Sequence, residues 1–177
     1  MAAVTRSSFL DRMIRAARLD AAVYEEIEHD TTATVQSGIV VVLGAISAGL
    51  ANGVRLGFLS LLAVSLLALA SWSFYAWLAY FFGGTVLKGP LTQTNWGEIA
   101  RTLGFANAPR LLLLLAAIPG LAVIALLIPF WIIATTVVAL RAALDCGTTR
   151  AAIVAIIASL AQAFLTAVLL GLQASGA

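Results

Sequence analysis

The sequence predicts an all-α integral membrane bundle, five transmembrane helices preceded by an amphipathic helix at the membrane surface. Three observations predict it. Residues 111–140 run for thirty positions without a charge, and about 20 apolar residues already cross a bilayer's hydrocarbon core. The chain is 62% hydrophobic and 10% charged with a mean hydropathy of +1.05, whereas a soluble domain carries about a quarter charged residues. Finally, five spans put nine of the ten lysines and arginines on one side, the bias of cytoplasmic segments.

At 177 residues the chain has the length of one domain. It divides into an N-terminal segment, 1–30, and a membrane domain, 31–177. A net charge of +2, scattered along the chain, excludes a nucleic-acid partner. The single cysteine, Cys146, excludes an intrachain disulfide and a cysteine metal cage. The first twenty residues hold four arginines and no uninterrupted apolar stretch, unlike a secretory signal.

Ser8 followed by Asp11 predicts a capped helix start. Leu10, Met13, Ile14, Ala17, Ala21, Tyr24 and Ile27 then recur at helical spacing, so Phe9 to His29 reads as one amphipathic helix lying on the membrane. The spans are expected at about 31–51, 58–82, 103–118, 121–144 and 150–172. Trp72, Tyr75, Trp77, Tyr80, Phe81 and Phe82 crowd the end of the second as an aromatic belt. Gly83-Gly84 and Gly89-Pro90 read as turns in a loop from Gly83 to Thr94. Asn95, with Glu98 three residues on, starts an interfacial helix that bends into the third span at Pro109. Pro119-Gly120 is the strongest turn signal inside the long apolar run, and Thr148 with Thr149 caps the last span.

The inner segments then hold Arg6, Arg12, Arg15, Arg18, Lys88, Arg101, Arg110, Arg141 and Arg150, and the outer ones only Arg55. Treating 111–140 as one span would give seven against three. The expected site is therefore a bacterial cytoplasmic membrane, with the N-terminus inside and the C-terminus outside.

Several stretches carry a family resemblance. They are RAARLDAAVYEEIEHDTTATVQ (15–36), the aromatic end of the second span, NWGEIARTLGFANAP (95–109), the paired spans around Pro119-Gly120, and RAALDCGTTRAA (141–152). In this order they resemble the bacterial branch of the Yip (Ypt/Rab-interacting-protein) membrane domain family, over essentially Phe9 to Leu172. The resemblance implies a five-span domain with a cytoplasmic N-terminal region. The Asp-Leu-x-Gly-Pro element of the eukaryotic members, which are linked to vesicle traffic, is absent, so GTPase binding is not implied.

The densest polar stretch is Tyr24 to Asp30. Glu26 and His29 have the Glu-x-x-His spacing of a carboxylate metal helix, but no second histidine exists and the only acids after residue 30 are Glu98 and Asp145. The expectation is no metal and no other cofactor. Glu25, Glu28 or Asp30 should instead clasp one of Arg101, Arg110, Arg141 and Arg150, leaving Arg12, Arg15 and Arg18 free for anionic lipid or an acidic partner. No catalytic set is visible, and no charge is expected inside a span, where Gln36 and Gln162 are the most polar side chains. Gly44, Ser47, Gly49, Ala155, Ala158, Ser159 and Ala163 suit close helix packing. The sequence thus points to a non-enzymatic scaffold or accessory subunit that docks other membrane proteins or a second copy, or organises the lipid bilayer. A small transporter or channel is the alternative.

Overall fold

The computed structural model describes residues 7–51, 57–116, 118 and 120–175, of which 169–175 by backbone alone. Arg6 and Arg55 lie outside the described residues. All regular structure among the described residues is helical: α1 (Phe9–Ala17), α2 (Ala21–His29), α3 (Ala33–Ala51), α4 (Phe58–Ala79), α5 (Trp96–Ala106), α6 (Leu113–Ala116), α7 (Val123–Ala143) and α8 (Thr148–Ser175). Five stretches are long and apolar enough to cross a membrane: Ala33–Ala51, Phe58–Val86, Trp96–Ala116, Val123–Ala143 and Thr148–Val168.

The expected single amphipathic helix is two. Arg18 closes α1 and Leu19 takes a left-handed φ of 64°. The Leu19 amide bonds Ala16 O and the Asp20 amide bonds Arg15 O, the paired closure of a Schellman turn with leucine where glycine is usual. Asp20 then caps α2, accepting from the Ala22 amide at 3.0 Å. The pair packs against the bundle, α1 on α5, and α2 on α5 and α7. Trp131 Nε1 donates to Ala17 O at 2.6 Å, and Phe9 meets Phe105 edge-on at 6.1 Å. The arginine face of α1 turns inward, while Leu10 and Ile14, 66% and 52% exposed, face outward.

The largest departure concerns α5, expected at the interface. It is the central helix of the bundle, with Ile99 to Ala106 all buried. Glycine permits this: a Cβ on Gly104 would sit 2.3 Å from Ser37 Cβ and 2.9 Å from its Cα. Ser37 Oγ donates to Arg101 O at 2.8 Å across the same contact. Asn95 and Glu98 form the capping box the sequence predicts. Small residues pack closely elsewhere too, for Gly44, Ser47, Ala155 and Ala158 are buried.

Pro109 breaks the third span as expected, through a 3-10 segment, Ala108–Leu112. The break frees carbonyls that side chains then occupy. The Arg110 amide reaches Asn107 O instead of Ala106 O, and Ala106 O accepts from Thr135 Oγ1 at 2.8 Å. Leu103 O accepts from Asn107 Nδ2 at 2.9 Å. Gly120, at φ 90°, marks the following turn, and Pro129 lies inside α7 rather than ending a span.

Gly83-Gly84 is no turn. α4 runs on through a π-helical stretch, Tyr80–Val86, and a Cβ on Gly83 would lie 2.7 Å from Leu144 Cδ1. The aromatic end divides: Phe74, Trp77 and Phe81 stack outward at 6.0 and 5.7 Å, whereas Trp72 Nε1 turns inward to Ala100 O at 3.1 Å.

Candidate functional site

Three polar assemblies interrupt this apolar bundle. The first surrounds Arg12, 2% exposed. Its Nη2 lies 2.8 Å from Glu26 Oε1 and 2.7 Å from Asp30 Oδ2, and its Nη1 donates to Gln36 Oε1 at 3.1 Å. Ser7 Oγ donates to Glu26 Oε2 at 2.7 Å. Burial works to lower the Arg12 pKa, but its bonds to Asp30 and Glu26 outweigh that and raise it. Thr32 and Arg12 hold the Asp30 carboxyl down at about 2. Arg15 pairs with Asp20 at 2.8 Å and flanks Asp11 and Glu26 at 3.8 and 3.6 Å.

The expected free arginines are thus mostly spent within the N-terminal hairpin. Arg12 is buried and Arg15 is paired, and only Arg18 stands exposed. Most of their acids, Asp20, Glu26 and Asp30, lie on α2 or at its two caps, a proximity that a continuous helix hides. The expected clasp exists in another form. Arg101, buried, holds α2 by donating from Nε (3.2 Å) and Nη2 to the Glu28 backbone carbonyl, not to its carboxylate. A cation on the last carbonyls of a helix also meets the negative end of its dipole. Asp30 pairs with Arg12 instead of a later arginine, and Glu25 and Glu28 make no ion pair among the described residues. Arg141 is exposed at the end of α7, and Arg150 lies over Gly89.

The second assembly is a cavity of about 450 Å³ between α3, α4, α5, α7 and α8. Arg110 lines it together with Asn107, Thr136, Ser71, Tyr75 and Gln162. Gln162 Nε2 donates to Ser71 Oγ at 2.8 Å, and Tyr75 OH to Ala155 O at 3.3 Å. Arg110 packs its stem on Gly44, where an added Cβ would lie 3.0 Å from Arg110 Cβ. Gly44 is eleven residues into α3, about 16 Å along the axis at 1.5 Å per residue, roughly half the hydrocarbon thickness. The expectation of uncharged span interiors is therefore overturned, since Arg101 and Arg110 both lie in the third span. Among the described residues no acid lines the cavity, and no ion pair reaches Arg110. The sequence held a signal for this: Arg110 follows Pro109 directly, and a broken helix at membrane depth lines a cavity or a protein-buried site.

The third assembly joins Glu25, Glu28 and His29 at the C-terminal end of α2, with donor atoms within 4.8 Å of one another. Glu26, the carboxylate the spacing singled out, faces Arg12 instead. Burial, then Glu25, pushes the Glu28 carboxyl up to about 7. The bond to Glu25 O, foremost, raises His29.

A scan against protein-family models found no match, and searches of curated proteins and of solved structures found none either. Function rests on these three assemblies alone.

Proposed function

We propose that this is a non-enzymatic protein of the bacterial cytoplasmic membrane that organises lipid by holding the acid group of an anionic amphiphile against Arg110. The single observation behind this reading is an exposed cationic side chain at mid-span, lining a largely apolar cavity in which, among the described residues, no acid faces it. An ionisable residue inside a membrane span is costly and marks a binding site or pathway by default. A guanidinium offers paired donors that match phosphate or carboxylate geometry. Asn107, Thr136 and Gln162 add amide and hydroxyl groups, and apolar walls from Val41, Leu103, Ile132 and Ile156 suit acyl chains. A volume of about 450 Å³ falls within the range of small-ligand sites. Membership of the Yip family, resting on residues 15–36, 95–109 and 141–152, belongs to the same proposal, as does a cytoplasmic N-terminus.

Native mass spectrometry of protein extracted in mild detergent tests the site. The expected result is a bound phospholipid or fatty acid on the unaltered protein, with occupancy reduced at least tenfold in Arg110→Gln and unchanged in Arg18→Gln. Equal occupancy in Arg110→Gln would remove the proposal. A second reading, a small transporter of organic anions, is favoured by the break in the third span beside Arg110, since discontinuous helices line transport sites. Arg110-dependent uptake of a soluble carboxylate or phosphate into proteoliposomes, without a retained lipid, would select it.

A further inference from the structure

The Glu25–Glu28–His29 assembly supports a site independent of the membrane cavity. Glu28 is 4% exposed, and its Oε2 is the only buried side-chain nitrogen or oxygen among the described residues without a hydrogen-bond partner. A buried carboxylate oxygen with no donor is costly, and the same carboxylate brings an oxygen within 4.8 Å of ligand atoms of two further side chains, Glu25 and His29. His29 Nδ1 lies 2.9 Å from Glu25 O. A carbonyl only accepts, so Nδ1 carries a proton, and Nε2 is the ring nitrogen that a cation would take once its own proton is displaced. That backbone-anchored tautomer is the arrangement in which metal-ligating imidazoles are held. Neighbouring acids add to the negative field, for Asp145 and Glu98 both act on Glu28. Glu98 itself is engaged by Asn95 at 2.9 and 2.7 Å, and the ligand atoms within 4.8 Å of one another are those of Glu25, Glu28 and His29.

We infer that Glu25, Glu28 and His29 bind a divalent transition cation of the zinc or manganese class at the end of α2. One imidazole nitrogen with two carboxylates suits such ions, whereas calcium and magnesium take oxygen ligands. Zinc sits about 2.1 Å from its donors, which brings them to about 3.4 Å apart in tetrahedral geometry. The present 4.8 Å spread closes chiefly by rotation of Glu25, which is exposed, toward buried Glu28 and the anchored His29 ring. Water fills the remaining position. The ion would tie the end of α2 at the point where Arg101 already holds the Glu28 carbonyl.

The test uses full-length protein without a polyhistidine tag, stripped with chelator and titrated with zinc chloride and manganese chloride in a calorimeter. One ion per chain is expected, with affinity falling at least tenfold in His29→Gln and in Glu28→Gln, and unchanged in Glu26→Gln. His29 is exposed, so His29→Gln keeps the fold even if a Glu28 change does not. A melting temperature that rises with zinc in the unaltered protein and stays flat in His29→Gln would agree. No binding above background, or equal binding by the unaltered protein and His29→Gln, would overturn the inference. Arg110→Gln keeps full metal affinity if the two sites are separate, so either can fail alone.

Discussion

Arg12 shows how one residue can reverse the reading of a helix. At helical spacing with Arg15 and Arg18 it reads as part of a solvated basic face, yet it is the most enclosed charge in the hairpin. Removing it strands Glu26 and Asp30 in partly buried sites, and breaking such a pair costs about 3–5 kcal/mol; with Glu26 29% exposed, about 2–3 kcal/mol is expected. Chemical unfolding in detergent should show this for Arg12→Gln, against a change within about 0.5 kcal/mol for exposed Arg18→Gln. The loss depends on pH in a defined direction. Asp30 is held at about 2 against an ordinary 3.8, so its contribution is present above about pH 4 and fades as pH falls toward 2. The gap between the unaltered protein and Arg12→Gln should narrow over that interval. A gap that widens in acid would contradict the pairing.

Among elements, α5 carries the most and was least legible. Its capping box and the break at Pro109 follow from local chemistry, and both are visible in the residues. Its burial depends on which helices surround it. Glu98 and Arg101 gave it an interfacial look, and only the tertiary fold supplies Arg101 with the Glu28 carbonyl. The five spans and the turn at Gly120 were legible because apolar length and turn residues are local signals. The break at Leu19 was not, because leucine gives no hint of a left-handed closure. Likewise, the Arg110 cavity was hidden by counting that residue as a loop charge. The tightness of the α3–α5 contact yields a prediction. Gly104→Val forces α3 away from α5, since a Cβ already meets Ser37 at 2.3 Å, and overpacking of this kind costs about 1–3 kcal/mol. Gly147→Ala, with nothing within 4 Å, should leave the thermal midpoint unchanged. Equal midpoints for both variants would refute the close approach.

For the whole molecule, the positive residues still mark one end. With Arg101 and Arg110 assigned to the third span, the described basic residues outside the spans (Arg12, Arg15, Arg18, Lys88, Arg141 and Arg150) flank one end of the bundle. In a Cys146→Ala background, a cysteine at Lys88 should react only after the membrane is breached, and one at Ala177 should react in intact cells. The reverse pattern would invert the topology. The hydrogen bond from Trp131 to Ala17, spanning 114 residues, also has a consequence for biosynthesis. The seat of the N-terminal hairpin is built by α5 and α7, so the hairpin can dock only after chain well downstream of it has been made. Until the fourth span is inserted, Ala17 lacks its bond from Trp131 and the hairpin stays unseated.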